Sequence, residues 1–407
     1  MKFNKSSQLL LVSAASILVA GLMTACATFT VDFVFVASSK AAGPNNYGEI
    51  NIFEVNSGSG KMRQIPASPV PSGGRYPVAE AVSSDNQNLF VVNQDDNNIV
   101  QFVIGNDGKL YPYNTVNTPG VFPLAVAVNA SNLFVADTYQ PLPSCSTASP
   151  CSGSIAVFPL SAATSKLPVT LGSPASNPNT NSNYWPLTLA GKPTDVIVPT
   201  GVNVLASGTF VYVSAYDSSV TPNVGYVFGF TVGSGGVLTP LAGSPFAAGV
   251  LPSAIASDAS GKYVYVTDYA SGNIRGFSAS AGALTSLAGS PFPAGNAPSA
   301  IVVDPSFSYA YVTNSTDSSI SAYSMSNGVL TRIGNYPTGL QPVAIGIDPS
   351  TNHFLYTANF LGNNVSGFQL SQTAGTLLVS QYSPFPSNNQ PTAVAAIPHN
   401  GTGAGVH

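Results

Sequence analysis

The sequence predicts an all-β fold, a seven-bladed β-propeller. Three observations carry that expectation. A unit of about 45 residues recurs along the 407-residue chain, and each copy divides into four short strand-like segments. The chain also holds 38 Gly and 33 Pro, which break long helices and suit tight turns. With 44% hydrophobic residues it carries enough apolar material for a packed core, unlike a disordered chain.

The aromatic segment of the unit is clearest in "YVYVTDYASGNIRGF" (263–277), "YAYVTNSTDSSISAY" (309–323), "FLYTANFLGNNVSGF" (354–368) and "LFVVNQDDNNIVQF" (89–102). Looser copies start at "FVFVASS" (33), "LFVADTY" (133) and "FVYVSAY" (210). Aligned on one aromatic, the anchors are Phe35, Phe90, Phe134, Tyr212, Tyr265, Tyr311 and Tyr356. A second element, [IV]-x-x-[FY], follows each anchor across an Asp/Asn/Gly/Ser turn, as in a hairpin. A third, smaller-residue element precedes the anchors: "YPVAEAV", "FPLAVAV", "KPTDVIV", "LPSAIAS", "APSAIVV" and "QPVAIGI". A fourth reads "GVLTPLAGSPF" or "GALTSLAGSPF". Blades converge on an axis, so the small-residue strand is expected innermost. The anchor strands, apolar at every position, are expected to be packed on both faces.

The first anchor has no small-residue strand before it, and the last, "QPTAVAAIP" (390–398), has no anchor after it. The C-terminus is therefore expected to supply the inner strand of the first blade. Its other strands lie near 33–38, 49–55 and 61–67, and this pairing closes the ring without an open edge. The propeller spans 33–400, with a tail at 401–407.

Residues 1–25 read as a signal peptide: Lys2 and Lys5, then a mostly apolar run from Leu9 to Met23. "LMTACA" allows two cleavage readings. A lipobox makes Cys26 the acylated mature N-terminus, whereas Ala25-Cys26-Ala27 fits an ordinary A-x-A site. The Cys placed just after the apolar run favours the lipoprotein. Residues 26–32 form a linker. Cys145 and Cys151, in "CSTASPC", are expected to pair in an oxidising compartment. No metal site is expected, because the cysteines have no His or further Cys beside them. No later apolar run reaches membrane-spanning length, so the only membrane link expected is a lipid anchor.

The formal net charge is −4, and the four Arg and eight Lys are scattered. A nucleic-acid partner, which requires clustered basic residues, is not expected.

Two places depart from the repeat. The third blade is enlarged by "QPLPSCSTASPCSG" (140–153) and by a loop with Tyr184 and the sole Trp, Trp185. Those aromatics serve either as a stacking wall for a flat ligand or as a plug that packs the loop. Among the inner strands, Glu80 stands where others have Ile255, Ile301 and Ile345, and Asp195 aligns with Ala254, Ala300 and Ala344. Carboxylates beside the axis need partners or solvent. Arg75 and Arg275 are the candidate partners, and such a pairing serves either structure or a site with shifted pKa values.

The "YVYVTD" and "YAYVTN" strands, with "PSAIVVDPS" before them and "SPFPAG" after, resemble YVTN repeats. The layout over 33–400 resembles the lactonase-type seven-bladed propeller family, which includes 6-phosphogluconolactonase-like and cycloisomerase-like proteins. That resemblance implies charged and His side chains around one channel mouth, yet His353, His399 and His407 do not cluster in the sequence.

Two functions follow as expectations. One is an exported, lipid-anchored monomer, without cofactor, at the bacterial cell envelope. It binds a protein, carbohydrate or small molecule at the propeller face. The other is a lactonase-like hydrolase of an unphosphorylated sugar lactone, with catalytic candidates Glu80, Arg75, Asp195 and Arg275.

Overall fold

A computed structural model describes residues 30–39, 44–145, 148–161, 169–305, 308–348 and 353–399. The signal peptide, Cys26 and the tail lie outside them. Seven antiparallel sheets, the blades, each run from an inner strand to an outer one. Blade one takes Pro391–Pro398, Thr30–Ser38, Glu49–Asn56 and Met62–Gln64, in that order outward. Blade two has Pro77–Val82, Asn88–Asn93, Asn98–Ile104 and Leu110–Asn117. Blade three has Val121–Val128, Asn132–Tyr139, Ser154–Pro159 and the short Trp185–Pro186. Blade four has Ile197–Val204, Phe210–Asp217, Val224–Val232 and Leu238–Pro240. Blade five has Pro252–Ser257, Tyr263–Asp268, Asn273–Ser280 and Ala283–Ser286. Blade six has Pro298–Val303, Tyr309–Asn314, Ser319–Ser326 and Val329–Pro337. Blade seven has Pro342–Ile347, Phe354–Asn359, Asn364–Leu370 and Leu377–Val379.

The C-terminal strand pairs with the first strand from Asp32 opposite Pro398 to Ser38 opposite Pro391. The ring is thus closed from both chain ends, as the orphan "QPTAVAAIP" predicts. The first strand starts at Thr30, so residues 30–32 belong to the blade and not to a linker.

The anchor residues explain how neighbouring blades hold together. Phe35, Phe90, Phe134 and the anchor tyrosines are fully buried between sheets. From blade four onward the tyrosine hydroxyl reaches the next blade. Tyr212 donates to the Gly282 carbonyl (2.8 Å), Tyr265 to Gly328 (2.8 Å) and Tyr311 to Gly375 (3.0 Å). The receiving turn must be glycine. At Gly328, φ is +81°, and a Cβ there would lie 2.5 Å from the Tyr263 ring.

Every inner strand carries a β-bulge just after its first proline or prolines' equivalent, seen as a register shift between Pro252 and Ala254, for example. Three bulged hydroxyls tie a blade to the next one's proline carbonyl: Ser253 to Pro298 (2.6 Å), Ser299 to Pro342 (2.7 Å) and Thr392 to Pro77 (2.8 Å).

Candidate functional site

The inner strands enclose an axial cavity of about 270 Å³, to which all seven blades contribute. Its wall has three tiers. The bulged residues form the first, with Thr200, Ser253, Ser299 and Thr392 supplying hydroxyls. Small residues form the second: Ala in six blades and Gly201 in the fourth. The third is Val or Ile, except at Glu80. Glu80 is the sole titratable residue among the described residues lining the cavity.

Gly201 corrects the alignment of Asp195. Pro199, opposite Ala215, is blade four's counterpart of Pro252, opposite Asp268. Asp195 therefore lies before the inner strand, on the loop, where its carboxylate pairs with Lys192 Nζ at 3.2 Å. The misleading signal was a second Pro-Thr pair six residues upstream. Spacing resolves it: Pro199 and Pro252 both stand 13 residues before their anchors, Tyr212 and Tyr265.

Glu80 does replace Ile255 and Ile301 in the tier, but its carboxyl is not offered to the channel. Both oxygens are shut from solvent, and no side chain donates to either. Burial pushes its pKa well above the carboxylate range, and the Ala395 backbone amide offsets this only in part.

Arg75 is on the rim of blade two. It holds Asp96 through Nε (2.7 Å), Nη2 (2.6 Å) and its own backbone N–H (2.7 Å). Asp96 consequently has its pKa lowered, the Arg75 bonds outweighing its desolvation. Arg275 lies on the third strand of blade five, opposite Val266, and its buried Nε has no partner. The four candidate charges thus occupy three blades and do not form one constellation.

Trp185 does not form a stacking wall. It is 3% exposed and packs with Phe134, Ile155 and Leu187 in the core between blades three and four. Its register explains it. Trp185 pairs with Ile155 as Phe292 pairs with Ile274 and Phe385 with Val365. Blade three's Trp is its version of the Phe in "SPF". Tyr184 is half-buried, and its carbonyl accepts from Asn177 Nδ2 (3.2 Å) and Ser182 Oγ (2.9 Å).

Loops entering the inner strands and turns leaving the second strands share one end of the ring, since these strands are antiparallel. Tyr76 and Tyr269 are partly exposed at this mouth, with Leu340 and Leu361 more so. Phe122 and Tyr139 meet edge to face at 6.1 Å. The Cys145–Cys151 disulfide braces the blade-three loop on the same rim. Nearby, Ser152 Oγ donates to the Asp195 carbonyl (2.8 Å) and accepts from the Ile197 amide (3.1 Å).

One residue that sequence reasoning did not single out is Asp137. It lies near the end of blade three's second strand, at the position of Asp268 and Asn314, the last letter of the YVT[DN] pattern. It is fully buried, and desolvation raises its pKa to about 7, with Thr118 and the Gly120 backbone restraining the rise. Aligning the motif across blades marks the position, but not its unusual titration. Among the described residues, no group of three or more His, Cys, Asp or Glu is placed to hold a metal.

Residues 281–395 match the family model described as "Lactonase, 7-bladed beta-propeller". No curated protein matches the chain. Among solved structures, a candidate 6-phosphogluconolactonase from Bacteroides fragilis is 18% identical. It aligns over 90% of this chain and 98% of its own, with a TM-score of 0.67. The periplasmic gluconolactonase PpgL of Pseudomonas aeruginosa is 16% identical over 90% of this chain and 99% of its own, with a TM-score of 0.66. A candidate 6-phosphogluconolactonase from Bacteroides uniformis is 18% identical over 90% and 99%, at 0.66. At such identities the likeness is one of fold. The chain is a seven-bladed propeller, and the lactonase model matches its last blades.

Proposed function

We propose that this lactonase-type propeller is an exported binding module, anchored through Cys26. It takes an uncharged polar ligand or a partner protein at the aromatic mouth of its channel. The observation that carries this reading is the separate commitment of the charges. Arg75 is held by Asp96, Asp195 by Lys192, and the Glu80 carboxyl is enclosed without a charged partner. A site that stabilises developing charge needs such groups convergent on one reacting atom. The mouth instead presents tyrosine rings and leucines beside the paired charges Arg75–Asp96 and Lys192–Asp195. The disulfide favours export, since such bonds persist in oxidising compartments.

A second reading is a hydrolase of an unphosphorylated sugar lactone. It is favoured by the shared fold with a protein named as a periplasmic gluconolactonase. In that reading Glu80, the one titratable residue among the described residues lining the cavity, is the acid to test first.

Purified protein assayed on gluconolactone separates the two. The binding module gives a rate equal to the buffer blank and to the Glu80→Ala, Arg275→Ala double variant. Saturable hydrolysis that the double variant abolishes would overturn it. For the anchor, intact mass of the membrane-extracted protein should show a lipid adduct that Cys26→Ser removes; an unmodified wild type refutes anchoring.

A further inference from the structure

The joint between blades seven and one departs from the joints before it. Blades four, five and six each send a tyrosine hydroxyl to a glycine carbonyl of the next blade. Tyr356 of blade seven turns instead to a carboxyl, with its hydroxyl 3.3 Å from Asp32 Oδ2. Asp32 sits on the first strand, fully buried, opposite Pro398 of the closing strand and Val55 of the third position outward. Asp348, also fully buried, ends the inner segment of blade seven and reaches the Asp32 carboxyl side chain to side chain.

Asp32 Oδ1 meets no donor. Two carboxylates in hydrogen-bond contact, shut from water, cannot both stay ionised. A proton on Asp32 resolves the arrangement. Tyr356 then donates to Asp32, Asp32 donates to Asp348, and Asp348 accepts the His353 backbone amide as well, at 3.5 Å. The surrounding titratable groups are few. Blade seven contributes Asp348, His353 and Tyr356. The closing strand is followed by His399, whose ring packs on Phe33 at 5.3 Å. In blade one, Glu54 is taken by Arg63 at 2.5 Å.

We propose that the ring is latched by a shared proton: Asp32 and Asp348 form a singly protonated acid pair that clamps the N-terminal strand to blade seven, so the closing joint tightens in acid and loosens in alkali. No other joint described above has this chemistry. The C-terminal strand pairs with the same first strand, so the latch secures both chain ends at once.

Burial, then Asp348, raise the Asp32 pKa to about 9. The folded chain therefore holds one more proton than the unfolded chain between roughly pH 4, the ordinary Asp value, and pH 9. Stability from this group is complete in acid and is lost as pH rises through that window.

The test is denaturant unfolding of the full chain from pH 5 to pH 10, for wild type, Asp32→Asn and Asp348→Asn. The wild-type folding constant should fall by about tenfold per pH unit relative to Asp32→Asn across the window. Amide exchange over 391–398, corrected for its intrinsic pH dependence, should rise with pH in wild type only. Parallel pH profiles in wild type and variant overturn the latch. So does a Ca²⁺-dependent gain in stability that Asp32→Asn abolishes, since a cation would then hold the pair. If neither variant folds, the ¹³C carboxyl shift of Asp32 in wild type decides. A protonated signal at pH 7 supports the latch, and an ionised one refutes it.

Discussion

Blades five and three follow one template and put the same acid to different use. In blade five, Asp268 accepts the backbone amides of Val250 (2.9 Å) and Leu251 (3.0 Å), stapling the loop that enters the inner strand. In blade three, the matching amides are already committed. Val121 is drawn into the sheet opposite Tyr139, and Phe122 donates to Asn97 Oδ1 of blade two at 2.7 Å. Asp137 is left buried with neither oxygen in a well-formed hydrogen bond. The acid of the YVT[DN] pattern is thus a loop staple where two loop amides reach it, and a weakly compensated buried carboxyl, with Thr118 and the Gly120 backbone alone, where they do not.

The difference extends outward. Blade five reaches its edge through Ala283–Ser286 and Phe292–Pro293, a short excursion from the third strand. Blade three needs the chain from Pro159 to Trp185 to bring an aromatic to the same place. Both blades depend on the closed ring. The largest expected effect is therefore common to them: deleting residues 390–407 removes the inner strand of blade one. The cooperative thermal transition should be lost from the whole protein. A truncated chain that melts like wild type would show that blades three and five stand without closure.

The next effect discriminates between the two blades' edges. Trp185→Ala should cost about 3–5 kcal/mol, the usual range for a buried large aromatic, because Trp185 holds the blade-three loop on the core. Phe292→Ala in blade five should fall at the low end of that range, since the outer strand Ala283–Ser286 remains paired. Urea midpoints at constant m-value give both numbers. Equal losses would mean that the long loop adds no dependence on its aromatic.

Much of this was legible in the chain. Seven anchors, four segments per unit and the orphan strand at 390–398 define the ring, because propeller packing repeats the same demands in every blade. Single residues were harder. Of the two readings open for the unique Trp185, wall or plug, the plug holds, and its register shows it to be a larger Phe. Asp195 was aligned to the axis because local Pro-Thr matching ignored the distance to Tyr212. The Glu80 position was read correctly, yet which way its carboxyl turns depends on packing against Ala395, 315 residues away in sequence. The Asp32–Asp348 contact likewise joins residues at opposite ends of the chain, and no local pattern announces it.

The smallest expected effect bears directly on the staple comparison. Asp137 has a folded pKa of about 7, against an unfolded value near 3.9. Between those values the folded state binds the extra proton, so stability falls as pH rises from roughly 4 to 7 and is flat above. Asp137→Asn removes the charge and keeps the shape. It should gain on the order of 1–3 kcal/mol at pH 8 over wild type, with the gain shrinking toward zero near pH 4. The same change at Asp268 should have the opposite sign. Asn presents one acceptor oxygen where two amides now bind, so a loss of about 1–2 kcal/mol is expected. Urea unfolding of the two variants at pH 5 and pH 8 reads out both signs. If both variants lose stability alike, Asp137 is a staple like Asp268, bound to donors in solution, and the contrast between the two blades fails.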